Sequence, residues 1–297
     1  VCGIVGLHLR DPELHARLGE LLEAMLGQVV ERGPDSAGVA VYGDRRRCPE
    51  GHAAVSVLDA PPGLAQALRE QLPGGPEVLV TVAGDTAVVA APVTPDVLAR
   101  AVRTAAPDAI VVGTGTDLTV YKGTGNPREL AGTYGLAGAQ GWQGLAHTRM
   151  ATESAVTPEG CHPFSVGDDQ CLVHNGSFAN HATIRRELRA EGVVFDSEND
   201  SEVGARFVAS RLARGEDLEK ALRALCERFD GFYTLLVTNG DGFAVVRDAI
   251  ACKPAIIAET DAWVAMASEF RALAVLPGID RARIYEPEPE RVYAWRR

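Results

Sequence analysis

The order of apolar and polar positions divides the chain into short strands and amphipathic helices. Residues 2–7 form an apolar run broken by two glycines, the pattern of a short buried strand that another backbone approaches closely. Leu14, Leu18, Leu21, Leu22, Met25, Leu26 and Val29 then recur at helical spacing, which predicts one helix with a single apolar face, ended at Gly33. Residues 39–42 read as the next strand. From about 53 to 122 the rhythm changes: strands at 53–58, 77–83, 86–91, 109–113 and 117–121 alternate with helices at 62–72 and 95–105. Pro61, Pro73, Pro95 and Pro107 stand at the element ends, where turn and first-turn prolines belong. The β-α-β-β-α-β order predicts a ferredoxin-like βαββαβ subdomain inserted over 52–125.

Beyond it the pattern gives a strand at 144–147, a polar loop through Pro163, a strand at 170–173 and a helix at 181–191. A further helix opens at Asp200 with Val203, Phe207, Val208 and Leu212 on one side, and Leu218, Leu222, Leu225 and Phe229 mark another. The remainder is strand-rich: 233–238, 242–247, 255–258 and 263–267, a short helix at 269–274, and terminal strands at 283–285 and 291–294. Outside the insertion, the main domain (2–297) therefore supplies hairpin-linked antiparallel strands and helices able to cover both outer faces, an α/β (α+β) two-sheet sandwich.

Composition narrows the function. With 46% apolar and 23% charged residues in 297, the chain is that of an ordinary globular protein. Its longest apolar runs, 109–112 and 249–258, fall short of the roughly 20 residues that span a bilayer, and no basic-then-apolar leader opens the sequence, so a cytoplasmic, membrane-free protein is expected. Twenty-nine basic against 40 acidic residues give a net charge of −11, with basic side chains scattered apart from Arg45, Arg46 and Arg47, which argues against a nucleic-acid partner. The six cysteines contain no C-x-x-C pair, which argues against a zinc ribbon and a disulfide framework, and five are expected as buried thiols.

Cys2 stands apart, because a residue so near the start can combine a thiol with a free backbone amine. The thiolate is the nucleophile, and a free thiol titrates at about 8.5. An α-amine of pKa about 7.7–8.0 is neutral often enough near neutral pH to accept the thiol proton, so one residue can supply nucleophile and base. The plainer alternative is a small buried apolar residue at a strand start. Three polar clusters lie at strand ends or in loops: Arg32-Gly-Pro-Asp-Ser-Ala-Gly38, His147-Thr-Arg-Met-Ala-Thr152 and His174-Asn-Gly-Ser177. Asn175-Gly176 can aim a side-chain amide and an unhindered backbone N–H at one point, as a developing oxyanion requires, although most Asn-Gly pairs are turns. Arg149 can grip a carboxylate bidentately and Asp200 an ammonium, together the head group of an amino acid; a surface ion pair and a helix N-cap are their ordinary alternatives. His147, His162 and His174 suggest a metal triad, but no carboxylate or cysteine completes a ligand spacing, so no metal is expected.

Taken together, Cys2-Gly-Ile-Val-Gly6, Arg32-Gly-Pro-Asp-Ser-Ala-Gly38, His147-Thr-Arg-Met-Ala-Thr152, His162-Pro-Phe164, His174-Asn-Gly176 and Glu198-Asn-Asp-Ser-Glu-Val203 resemble the ordered motifs of the class II glutamine amidotransferases, which are N-terminal-nucleophile hydrolases. The resemblance implies a four-layer αββα sandwich, with Cys2 as nucleophile, Asn175 and Gly176 as oxyanion hole, Arg149 on the glutamine α-carboxylate with Thr152 assisting, and Asp200 on the α-ammonium. It also implies supporting roles for Arg32, Asp35 and His174. Because that chemistry needs Cys2 to be first, Val1 is expected to be absent from the mature protein, as if a GTG start codon had been translated literally. The pieces Asp248-Ala-Ile-Ala-Cys-Lys-Pro254 and Ser268-Glu-Phe-Arg-Ala-Leu273 look like the stand-alone glutamate-synthase-related amidotransferase subunit of N-methylglutamate synthase-type complexes. The implied partners are glutamate-synthase-like flavoprotein subunits carrying FMN and an iron–sulfur cluster, with no cofactor in this chain, which shows neither a Gly-rich dinucleotide fingerprint nor cluster-ligand spacing. A non-catalytic glutamine-sensing or structural subunit, and a free glutaminase, are the competing readings.

Overall fold

A computed structural model describes residues 2–150 and 156–297. The first strand, β1 (Gly3–Leu9), is followed by a 3₁₀ segment and α1 (Leu18–Gly27), which buries Leu18, Leu21, Leu22, Met25 and Leu26. Where the apolar period predicts one helix, the first turns are 3₁₀ (Pro12–Arg17), because Arg17 departs from helical backbone at φ −107° and ψ 2°. β2 (Ser36–Tyr42) leads into β3 (Ala53–Leu58), α2 (Leu64–Gln71), β4 (Leu79–Ala83), β5 (Thr86–Ala91), α3 (Pro95–Ala105) and β6 (Ile110–Gly115). Then come β7 (Leu118–Thr124), α4 (Pro127–Tyr134), β8 (Gln143–Arg149) and β9 (Cys171–Phe178). The helices α5 (His181–Ala190), α6 (Asp200–Ala213) and α7 (Leu218–Arg228) precede β10 (Gly231–Thr238), β11 (Gly242–Arg247), β12 (Ile256–Glu259) and β13 (Trp263–Ala267), and the chain closes with α8 (Phe270–Leu273), β14 (Arg283–Tyr285) and β15 (Tyr293–Arg296).

Two antiparallel sheets carry the main body, one ordered β14-β12-β13-β1-β8-β2-β7 and the other β15-β11-β10-β9. Strand alternation sends Val5, Leu7 and Leu9 of β1 to one face, where they meet Leu18, Leu22 and Met25 of α1, and Ile4 to the other, where it meets Val173, Leu236 and Phe243 of the second sheet. The outer face of that second sheet is covered by α5, α6 and α7 through Phe178, Ile184, Val203, Leu222 and Leu225. Helix, sheet, sheet and helix therefore stack in four layers. The sheets meet closely at Gly6, where a Cβ would lie 2.4 Å from Leu236 Cδ2.

The third sheet, ordered β4-β5-β3-β6 and wholly antiparallel, rests on the first. Its outer face buries Val55, Val57 and Val89 beneath Leu64 and Leu68 of α2 and Leu98 and Val102 of α3. The segment expected as a single insertion over 52–125 divides: 53–115 builds this sheet, while β7 pairs along the whole of β2 and edges the first. Hydropathy could not tell these apart, because β7 is buried on both faces. Its outward N–H groups are capped by side chains of the third sheet, Val120 N donating to Ser56 Oγ (2.9 Å) and Lys122 N to Thr86 Oγ1 (2.9 Å), so the edge is covered without a further strand. Among the described residues, no helix is long and apolar enough to cross a membrane.

Candidate active site

The site is built where β1 begins and β8 and β9 end. Gly3 pairs with Thr148 in β8, whose Oγ1 accepts the Gly3 N–H at 3.1 Å, and Ser268 Oγ accepts the N–H of Ile4 at 2.9 Å. The Cys2 carbonyl receives two donors, Arg32 Nε at 3.0 Å and Asn175 Nδ2 at 3.2 Å, and Arg32 is itself held by Glu269 at 3.0 Å. The carbonyl of residue 2 is thus held by two side chains, and the two N–H groups that follow it by two more, all from separate parts of the chain. Burial pushes the Cys2 thiol above its ordinary pKa, opposed first by the positive charge of the amino terminus, then by a hydrogen bond from the Met150 backbone and by the charges of Arg149 and Lys253. A thiol kept protonated in this way needs a base before it can attack.

Arg149 is the last residue of β8, one position past the Gly3–Thr148 pair, and donates Nη1 to the Gly160 carbonyl at 3.2 Å. Asp35 fastens the neighbouring turn through its backbone, its N–H to the Arg149 carbonyl (3.1 Å) and its carbonyl to the Gly125 N–H (2.8 Å). Asn175 and Gly176 lie inside β9, opposite Thr234 and Tyr233 of β10, and not in a loop following a strand that ends at 173. Gly176 makes that continuation possible: at φ +142°, with Phe232 O 1.9 Å from where a Cβ would sit, only glycine fits. Asp200 is the first residue of α6 and not its cap, since Asn199 caps the helix by accepting the Ser201 N–H. The Asp200 carboxylate instead accepts the N–H of Phe178, at the end of β9, at 2.8 Å, and lies 4.0 Å from His174 Nδ1. Cys2, Arg32 and Asn175 are therefore joined directly, Arg149 follows Thr148 of β8, which pairs with Gly3, and Asp200 and His174 join them through β9. Thr152 lies outside the described residues.

Beneath this surface sits a buried imidazole cluster whose members were expected as discounted metal ligands and, for His174, in a supporting role. His147 and His162 stack with centroids 4.1 Å apart, and His174 stacks on Phe178 at 4.3 Å. Ser201 Oγ bridges His162 Nε2 (2.9 Å) and His174 Nδ1 (2.8 Å), so its hydroxyl donates to one ring and accepts from the other, while His147 Nε2 donates to the His174 carbonyl. Burial holds His147 down to about 3, His174 to about 4 and His162 well below its ordinary value, so all three are neutral. Among the described residues, no group of three or more His, Cys, Asp or Glu side chains is placed to hold a metal. The cysteines differ from expectation too: Cys48, Cys161 and Cys171 are buried, whereas Cys226 is half-buried and Cys252 exposed.

Ser201, Thr148, Ser268 and Lys253 went unassigned in the sequence. A signal for Lys253 was present, since the chain has only three lysines, Lys122, Lys220 and Lys253, and this one precedes a proline just past a strand. The other three are small polar residues whose role is set by partners far away in the chain.

An antiparallel two-sheet sandwich with a cysteine pinned at the start of its central strand defines an N-terminal-nucleophile-type amidotransferase fold. The solved glutamine phosphoribosylpyrophosphate amidotransferase from B. subtilis shares it, with a TM-score of 0.62 at 18% identity, over 99% of this chain and 49% of that longer one. A family model described as a glutamine amidotransferase domain matches residues 147–275. The glutamine amidotransferase-like protein GlxB of Rhizobium meliloti is 47% identical over 298 residues, 99% of this chain and 98% of that protein. The glutamine–fructose-6-phosphate aminotransferase of Idiomarina loihiensis is 35% identical over 129 residues, 43% of this chain and 21% of that protein. The chain belongs to the class II glutamine amidotransferase family.

Proposed function

We propose that this chain hydrolyses the side-chain amide of glutamine and supplies the ammonia to a partner subunit. The observation that carries the reading is the double anchoring of the Cys2 carbonyl by Arg32 and Asn175, which supports Cys2 as the nucleophile and Asn175 as its neighbour in the site. Arg149 binds the glutamine α-carboxylate and Asp200 its α-ammonium. The Cys2 amine takes the thiol proton; sulfur bonds to the amide carbon, and the carbonyl π electrons move to oxygen, where Asn175 Nδ2 and the Gly176 N–H receive the charge. As the oxyanion collapses, the C–N bond breaks, the amine returns its proton to nitrogen, and ammonia leaves a γ-glutamyl thioester. Water then hydrolyses the thioester to glutamate. This chemistry requires Cys2 to carry the free amine.

For the partner we favour a glutamate-synthase-like flavoprotein of the N-methylglutamate synthase type, holding FMN and an iron–sulfur cluster on its own chains, in the cytoplasm. The sequence pieces around Lys253 and Ser268 support it. A glutamine-like electrophile is expected to label Cys2, and Cys2→Ala to lose more than about a thousandfold in glutamate release, or over about 4 kcal/mol of barrier. Unlabelled Cys2 in a protein shown by amino-terminal sequencing to begin at that residue would overturn the glutaminase reading. Co-purification from the native source, followed by glutamine-dependent transfer to keto acids and methylamine, tests the partner.

A further inference from the structure

Lys253 lies in the loop between β11 and β12, and the structure spends several buried groups on fixing that loop. The Asp248 carboxylate accepts the N–H groups of Tyr233 (2.9 Å), Ile250 (2.8 Å) and Ala251 (3.3 Å). Arg247, 7% exposed, donates to the carbonyls of Ala251 and Lys253, the latter at 2.9 Å, and Thr234 Oγ1 donates to the same Lys253 carbonyl at 2.9 Å. Thr234 is the strand partner of Asn175, so the backbone of Lys253 is hung directly behind the oxyanion residue. The side chain then reaches over Phe232, its ammonium 5.4 Å from the ring centroid, and Phe232 is itself the residue beside Tyr233, which pairs with Gly176. Among the described residues, Lys253 pairs with no carboxylate. Its charge is also felt at Cys2, after those of the amino terminus and Arg149, and at His174, after that of Asp200.

We propose that Lys253 is the fixed cation of this site, holding positive charge beside Cys2 so that the thiolate, and then the oxyanion formed from it, are stabilised during attack. The assignment rests on Cys2 being the nucleophile. The reaction moves one negative charge from sulfur to the amide oxygen within a half-buried pocket, and a cation beside both positions lowers both states relative to the neutral thiol. The other charges facing Cys2 have prior occupations. Arg32 is paired with Glu269 and donates to the Cys2 carbonyl, Arg149 faces the place of the substrate carboxylate, Asp200 is bound to the Phe178 N–H, and His174 is neutral. Lys253 alone among these carries a charge that neither a carboxylate of the chain nor the proposed substrate head group consumes. The contacts that place it use its backbone carbonyl, so replacing the side chain leaves the loop's anchoring intact.

The test is the pH profile of Cys2 alkylation by iodoacetamide in the full processed chain, read on the Cys2 peptide by mass spectrometry in a Cys252→Ser background, which removes the exposed neighbouring thiol. Lys253→Met is expected to slow alkylation near pH 7 by about three- to tenfold and move the profile to higher pH, with Lys253→Arg restoring it. In glutamine turnover, Lys253→Met is expected to lower kcat by a similar factor with little change in KM. A Lys253→Met profile superimposed on the parent overturns the assignment, as does a loss that Lys253→Arg fails to restore. Alkylation needs no substrate, so a protein that shows the lysine effect yet never releases glutamate would sink the glutaminase reading and leave the electrostatic one standing.

Discussion

In the third sheet, Val55, Val57 and Val89 face Leu98 and Val102 across an apolar layer, and the buried hydroxyls of Ser56 and Thr86 both have partners on β7. At the ends of β8 and β9, His147, His162, His174 and Asn175 are each buried to 6% exposure or less, and His162 Nδ1 and His174 Nε2 have no hydrogen-bond partner. Among the described residues, none of the buried side-chain nitrogens and oxygens that lack a partner falls between 53 and 115. One region follows the rules that make a fold stable, and the other breaks them around a thiol. Burying polar groups imperfectly costs free energy, and the main body, the histidine cluster included, bears that cost where the third sheet does not.

The contrast can be broken from either side. After Cys2→Ala, Asn175→Ala should give the largest effect, slowing glutamate release by roughly a hundredfold or more, about 2.7–4 kcal/mol in barrier, while the melting temperature moves little. A large melting shift with preserved turnover would show that Asn175 serves the fold through its bond to Cys2 O. In the third sheet the opposite is expected of Leu98→Ala, which is fully buried: about 2–3 kcal/mol lost from unfolding free energy in denaturant titration, with kcat and KM unchanged well below the melting temperature. Equal losses in stability and turnover would erase the distinction between the regions.

Acid should act on the site first. The three buried histidines are lowered in the folded state, so below the ordinary histidine pKa of about 6.5 the unfolded chain takes up protons that the fold refuses. Stability is then full above about pH 6.5 and falls with pH toward the folded values, by up to about 1.4 kcal/mol per pH unit for each histidine. His162→Gln should reduce that slope by one histidine's share in pH-dependent denaturation curves; an unchanged slope would mean that other groups dominate the acid limb. The smallest change is expected from Asn199→Ala, which removes the cap of α6 for about 1 kcal/mol and loosens the start of the helix that carries Asp200 and Ser201, raising KM for glutamine more than it lowers kcat.

The third sheet was legible because each of its elements buries one face at its own period, so β3 through β6 emerge from hydropathy with their helices in order. α4 was missed for the converse reason: it buries only Pro127, Ala131 and Tyr134, too short a stripe to show a helical period, and its definition comes from the Asn126 cap and from Gly135 at φ 62°. Motif identity located Cys2, Arg149, Asn175, Gly176 and Asp200 as residues without giving their setting. A strand end or loop was expected at 174–177, because Asn-Gly ordinarily turns a chain, yet β10 pairs with β9 straight through it. The bonds from Thr148, Ser268 and Thr234 are equally invisible in one dimension, since each joins residues from distant parts of the chain or unrelated loops.

By itself the sequence determined the periods of the elements, the apolar faces that must be covered and the reactive groups available, because side-chain chemistry and local backbone preference are properties of each residue and its near neighbours. Tertiary structure decided which sheet β7 joins, that Cys2 is held by Arg32 and Asn175, that the histidines are neutral and that Lys253 stands over Phe232. Hydrogen bonds act over about 3 Å and a charge inside a protein acts over several, so their partners are fixed by distance in space, which only the packed sheets establish.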